Sequence, residues 1–191
     1  MTVQINPMID TIQARRSIGN LVLPMPTDDE LSIALRAAMS APDHKQLKPW
    51  RFTVLTNNAL IEFGKVLLKA QQASCTKPLD DMTCQKLLNM PQRAPMIIAV
   101  ATDIKEHEKV PSFEQILSVG AAIQNLLLAF ESLGYHTVWR TGLLSNAPPV
   151  KTYFKVADKD MICGFVYVGS SSVNMPARCE MDLNEFVEYY R

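Results

Sequence analysis

An α+β fold, one sheet with helices packed on it, is what this sequence predicts, and three observations carry the prediction. Four short runs rich in β-branched and aromatic residues, at 50–56, 94–103, within 134–142 and at 161–169, read as strands. Between them lie longer stretches with apolar residues three and four positions apart, the spacing of a helix face. A chain of 191 residues, 48% of them apolar, can bury a sizeable core, and no repeat, low-complexity tract or linker divides it. Residues 1–191 therefore read as a single domain, helix-rich with a few hydrophobic strands, in an α+β or three-layer arrangement around one sheet.

The elements follow in order. "MIDTIQARR" (8–16) has Met8, Ile9 and Ile12 at helical spacing and ends in two arginines. "TDDELSIALRAAMSAP" opens on Thr27 with Glu30 three residues later, a capping box. Leu31, Leu35 and Ala38 then form one face, widened by Ile33, Ala34 and Ala37, until Pro42 ends the helix. "WRFTVLT" (50–56) is a strand, 58–74 a helix, 80–90 a second helix stopped by Pro91, and "APMIIAVATD" (94–103) a short buried strand. Residues 112–133 make the longest helical pattern and leave almost no polar face. A helix so apolar is buried on all sides, as the central core helix, a subunit interface, or both. "GYHTVWRTG" (134–142) stops that helix and starts a strand. A short proline-initiated helix (147–156), the buried strand "MICGFVYVG" (161–169) and an arm over 170–191 complete the chain.

Composition excludes several functions. Lys+Arg and Asp+Glu both number 19, so no global field draws the chain to nucleic acid or an anionic membrane. The longest uninterrupted apolar run, 96–101, is far below the roughly 20 residues of a membrane span. The first ten residues lack a signal-peptide pattern. Cys75, Cys84, Cys163 and Cys179 are irregularly spaced with no CxxC, so neither a metal site nor a disulfide framework is expected. Cys163 reads as a buried small hydrophobe, and a reducing cytoplasm is the simplest setting. There is no GxSxG elbow, no HExxH, no GxGxxG and no P-loop.

Cationic and hydrogen-bonding clusters remain. Arg15, Arg16 and Ser17 place two guanidinium forks and a hydroxyl at a helix end, a set that suits a terminal phosphate. The same arginines could simply favour the helix dipole. "WRTG" (139–142) puts Arg140 just past a hydrophobic strand, where function-bearing loops begin, or where a strand end is solvated. "APDHKQLKPW" (41–50) packs an acid, an imidazole and two lysines between two prolines, more than a structural loop needs.

Taken in order, "RRS", "APDHKQLKPWRF", "GYHTVWRTG" after a long apolar helix, and "GFVYVG" resemble the FMN-dependent nitroreductase family, in particular its small single-domain members. The resemblance runs from about residue 8 to 170. It implies an α+β fold with a central, mostly antiparallel mixed sheet flanked by helices, in an intertwined homodimer whose arm, about 170–191, packs on the partner subunit. It implies FMN at the subunit interface: Arg15, Arg16 and Ser17 on its phosphate and ribityl chain, Ser40 and His44 approaching from the same or the other subunit, and Trp139, Arg140 and Thr141 completing the contacts. The segment Ala129, Phe130, Glu131, Ser132, Leu133, Gly134 matches the part assigned to NAD(P)H. The implied activity is an oxidoreductase passing hydride from NAD(P)H through FMN to an electron-poor small molecule such as a nitroaromatic or quinone. Arg16, Arg140, Lys45 or Lys48 would stand by the flavin's N1–C2 edge. His44 is taken as a cofactor contact and not a general base, and Asp43 is given no chemistry. The alternative is a flavin-binding dimer without turnover, a carrier or sensor. Two departures stand out. Where the family carries a basic residue two or three positions after the serine, this chain has Ile18, Gly19 and Asn20; and the family's N-x-Q-P-W becomes Gln46, Leu47, Lys48, Pro49, Trp50.

Overall fold

The computed structural model describes residues 6–176 and 178–191. The first five residues, half of the stretch read for a leader, and Ala177 in the arm lie outside the described residues. Strand β2 (Met96–Thr102) is buried at all seven positions, so it must be covered on both faces. It pairs antiparallel with β1 (Trp50–Thr56) on one side and β4 (Ile162–Gly169) on the other. β4 in turn pairs antiparallel with β3 (His136–Arg140), giving the order β1-β2-β4-β3. All four strands thus pair antiparallel. Among the described residues the mixed character expected of the sheet reduces to one isolated parallel bridge, Ser17 to Thr137.

Alternate residues of a strand face opposite sides, and β2 divides its side chains between two cores. Ile97, Ala99 and Ala101 join Phe63 and Leu67 of α3 (Asn58–Ser74), Leu87 of α4 (Asp81–Asn89) and Val150 of α6 (Pro148–Tyr153). Met96, Ile98 and Val100 join Ala34 and Ala38 of α2 (Asp28–Ala38) and Val119, Ile123, Leu126 and Phe130 of α5 (Ser112–Ser132). The result is three layers, with α1 (Pro7–Ala14) contacting α5. α3 and α4 touch so closely at Gly64 that a Cβ there would run into the backbone carbonyl of Leu88.

α5 was expected as a core helix, a subunit interface, or both, and the single chain covers one of its faces. It is long and apolar enough, by length and composition, to cross a bilayer, yet α2 and the sheet pack on it. It is not buried on all sides: Phe113 is 60% and Leu117 66% exposed, so the core-helix reading accounts for one face only. Cys163 is likewise half-buried, not sealed in the core.

The predicted capping box of α2 is present: Thr27 Oγ1 accepts from the Glu30 N–H and Glu30 Oε2 accepts from the Thr27 N–H. The Thr27 N–H, the Thr27 hydroxyl and the Tyr135 hydroxyl all donate to Glu30 Oε2 and hold that carboxyl below its ordinary 4.5. The Thr83 N–H and hydroxyl do the same for Asp80, ordinarily 3.8. The Lys105 ammonium, followed by Arg51, outweighs partial burial to lower Asp103. Each carboxylate is favoured by folding, so its contribution is complete above its unfolded value and is lost as pH falls through its lower folded value. Melting temperatures from circular dichroism should be level from pH 7 to about 5 and decline below about pH 4.5. Replacing Tyr135 by phenylalanine should shrink that decline.

Candidate functional site

The C-terminal end of β3 opens into a cavity of about 790 Å³, whose walls include Ser17, Gly19, Trp139, Arg140 and Thr141. α3 and α4 supply the facing wall with Leu67, Gln71, Thr83 and Lys86, and Phe165 and Tyr167 of β4 supply an aromatic floor. Arg140 is its distinctive member. Its guanidinium carbon lies 5.6 Å from the centre of the Tyr167 ring, and its Nε is buried with no hydrogen-bond partner among the described residues. A buried cationic donor left unpaired is costly, which is the state expected of a group waiting for an anion or a polar ligand edge.

Glycines make room for this arrangement at two points. A Cβ on Gly19 would lie 3.0 Å from Arg140 Nη2, so the bare backbone there leaves space for the guanidinium. Gly164, at φ +153, lies against the Trp139 indole, whose Nε1 donates to the Cys163 carbonyl at 3.1 Å; a Cβ there would collide with the ring.

Arg15, Arg16 and Ser17 follow α1. Arg15 Nη1 is 3.5 Å from Ser17 Oγ, and Arg178 of the C-terminal arm donates to the Arg15 carbonyl at 2.8 Å. Burial, then the like charge of Arg178 and that of Arg16, press the Arg15 guanidinium below its ordinary value, with Glu131 opposing. Three guanidinium groups against one nearby carboxylate form a locally cationic corner. Arg16 meanwhile fits the helix-end reading: its Nη1 donates to the carbonyls of Gln13, Ala14 and Arg15 at 2.6, 2.9 and 3.1 Å.

Ser40 and His44 lie elsewhere. Ser40 donates to the Ala37 carbonyl at 2.7 Å and borders a separate cavity of about 420 Å³ with Asp43, Gln46, Lys48 and Trp50. This loop leads into β1, at the opposite edge of the sheet from β3; three interstrand spacings, roughly 14 Å, separate them. One chain therefore does not bring Ser40 and His44 to Arg140. Lys45 and Lys48 belong to the same distant loop, leaving Arg140 and Lys86 as the cations on the cavity wall. Asp43 proves structural: its Oδ2 accepts from the Lys48 N–H at 2.7 Å. Trp50 is buried, as expected of a core anchor.

Of the segment 129–134, Phe130 is sealed in the core and Ala129 and Leu133 pack against it. Ser132 and Gly134 are exposed. Glu131 borders a third cavity, of about 520 Å³, with Arg16, His136 and Ser172 to Pro176. Lys86, Thr83, Gln71 and Arg178 are the wall and corner residues that sequence reasoning missed. The one signal it offers is on α4, where Thr83, Lys86 and Leu87 fall on one face at three- and four-residue spacing.

None of the four cysteines is paired. Burial pushes the Cys163 thiol up to about 11, whereas Cys179 is exposed. Iodoacetamide at pH 8 should therefore alkylate Cys179 well before Cys163, read by peptide mass spectrometry over time.

The model of the nitroreductase family matches residues 12–170. The chain belongs to the nitroreductase family. Within it, the chain is 37% identical over 182 residues to "Putative NAD(P)H nitroreductase YdjA" of Escherichia coli (strain K12), covering 92% of this chain and 95% of that one. A Haemophilus influenzae relative, "Putative NAD(P)H nitroreductase", is 33% identical over 180 residues, covering 93% and 96%. Among solved structures, a nitroreductase-like family protein from Bacillus cereus superposes with a TM-score of 0.83 at 19% identity, covering 100% of this chain and 98% of that one. A nitroreductase from Bacteroides fragilis solved with bound FMN gives 0.73 at 21%, covering 98% and 100%. At those identities the superpositions establish the nitroreductase fold.

Proposed function

We propose that this nitroreductase-family protein is an FMN-dependent oxidoreductase. It takes hydride from NADH or NADPH and delivers electrons to an electron-poor small molecule, a nitroaromatic or a quinone. Arg140 carries the reading: its buried Nε has no partner among the described residues, on the wall of a cavity whose volume lies within the roughly 300–1,000 Å³ of ligand sites. The surroundings fit a planar, anionic cofactor, with Phe165 and Tyr167 as apolar floor and the Arg15–Arg16–Arg178 corner close by. The names of the bacterial relatives and the FMN in the Bacteroides fragilis protein support the same reading.

FMN, when bound, supplies the hydride chemistry itself, which accounts for the absence of an acid–base triad from the sequence. The chain's part is to bind and orient it. Arg15, Arg16, Ser17 and Thr141 would hold the phosphate and ribityl chain. Arg140 and Lys86 would place positive charge beside the ring, where it favours electron gain, whereas the Trp139 indole packs on Gly164 at the opposite face of the sheet. Ser40 and His44 would close the site from a second subunit, because their own loop stands at the far edge of the sheet. Glu131, Ser132 and Gly134 are the members of segment 129–134 left to meet the nicotinamide nucleotide.

A homodimer is part of this proposal. Phe113 and Leu117 on α5, Ile9 and Ile12 on α1, and Leu183, Phe186 and Tyr190 on the arm present apolar surface that one chain leaves uncovered. The arm, 170–191, would pack on the partner subunit. Four unpaired thiols suit a reducing cytoplasm.

The visible spectrum of the purified protein, recorded before and after NADH or NADPH under nitrogen, tests the reading. A flavin band that bleaches with one of the nucleotides is expected. Protein that stays colourless after incubation with FMN would refute it. Bound FMN that neither nucleotide bleaches would mark a carrier or sensor instead.

A further inference from the structure

His44 and Glu114 stand 70 positions apart in sequence, yet His44 Nδ1 lies 2.9 Å from Glu114 Oε2. Each is held from behind. In the His44 loop three non-glycine residues, Lys45, Gln46 and Lys48, adopt left-handed φ values of 61, 53 and 51°. Such residues are unfavourable and persist where the surroundings over-determine them. Here the Asp43 carboxylate takes the Lys48 N–H, the Asp43 carbonyl takes the Gln46 N–H, the Pro49 carbonyl takes the Asp103 N–H, and Trp50 is buried. On the other side, Gln115 is 1% exposed; its Oε1 accepts from the Lys105 N–H, and its Nε2 donates to the carbonyls of Lys105 and Val110. The first turn of α5 is thereby pinned, with the Glu114 carboxylate where the helix dipole favours negative charge. A surface ion pair alone contributes little; this one joins a strained loop to a fastened helix end.

We propose that Glu114 is a positioning residue that makes His44, lent to the cavity of a second subunit, the proton donor to the acceptor during turnover. The proposal rests on the oxidoreductase reading above. By holding the proton on Nδ1, Glu114 leaves Nε2 as the ring nitrogen that gives up and regains a proton. Two-electron reduction of a quinone consumes one hydride, originating in the nicotinamide nucleotide, and one proton. The Nε2–H bond of the His44 imidazolium breaks and an O–H bond forms on the quinone oxygen, giving the hydroquinone. The neutral ring, still Nδ1–H toward Glu114, takes a proton back from water.

Two measurements on the full chain test this. Nitrogen-15 NMR of the flavin-free protein should show neutral His44 as the Nδ1–H tautomer in wild type and lose that signature in Glu114→Ala. Stopped-flow on the FMN-loaded protein then separates flavin bleaching by NADH or NADPH from reoxidation by p-benzoquinone. His44→Gln should slow reoxidation about 100-fold and Glu114→Ala about tenfold, in each case at least several-fold more than bleaching. Glu114→Gln, which keeps an acceptor for Nδ1–H, should recover most of the Glu114→Ala loss. An unchanged tautomer in Glu114→Ala, or variants that slow both half-reactions alike or neither, would overturn the proposal. A wild-type flavin that neither nucleotide bleaches would instead overturn the oxidoreductase reading and the donor role with it, while the tautomer measurement would still judge the pairing of Glu114 with His44.

Discussion

Arg140→Met should cost the protein its flavin and not its fold. Methionine keeps most of the aliphatic volume over Tyr167 and removes a charge whose Nε is buried without a partner. In the folded chain the contact of the guanidinium with the Tyr167 ring is offset by the cost of the unpaired Nε, so the melting temperature of the flavin-free protein should move by less than about 2 °C. Binding is another matter. Hydrogen bonds to charged groups contribute about 1.5–3 kcal/mol, which corresponds to an FMN dissociation constant roughly 10- to 100-fold higher. Titration by quenching of FMN fluorescence measures it directly. An unchanged dissociation constant would remove Arg140 from the site. Arg140→Lys should lie between the two, because an ammonium keeps the charge but not the planar fork of donors.

Gly64→Ala should be the most damaging of the small substitutions. The new methyl group runs into the Leu88 carbonyl, and backbone cannot swing aside as a side chain can. α4 must therefore shift bodily away from α3. Overpacking of this kind costs about 1–3 kcal/mol, or a melting temperature lower by roughly 3–10 °C for a chain of this size. α4 also carries Thr83 and Lys86 on the cavity wall, so FMN affinity should fall in the same variant. Loss of stability with unaltered affinity would show that α4 moves without disturbing the site.

Much of the fold was legible because its signals are local. β1 and α3 fall on residues 50–56 and 58–74 as expected, and the Thr27–Glu30 capping box starts α2 where the pair of residues places it. β2 starts two residues late and ends one early, since Ala94, Pro95 and Asp103 lie outside the ladder. The burial of α5 was legible by half, because composition does not distinguish a face covered by the same chain from one left uncovered, as at Phe113 and Leu117. The site was harder still. Nothing near residue 140 indicates that Arg140 ends over Tyr167 with a buried, unpartnered Nε, or that Gly19 makes room for it. The pairing of His44 with Glu114, and of Asp43 with the Lys48 amide, depends on loop geometry set by tertiary packing, to which periodicity is blind.

The left-handed turns of the 45–48 loop have a kinetic meaning as well. A flexible loop loses conformational entropy when a ligand arrives, and that loss weakens binding and slows productive encounter. Here the chain meets that entropy loss during folding, when Asp43 clasps the Lys48 amide and Trp50 sinks into the core. The loop is preorganised: whatever docks against it does not bear the cost of ordering this segment.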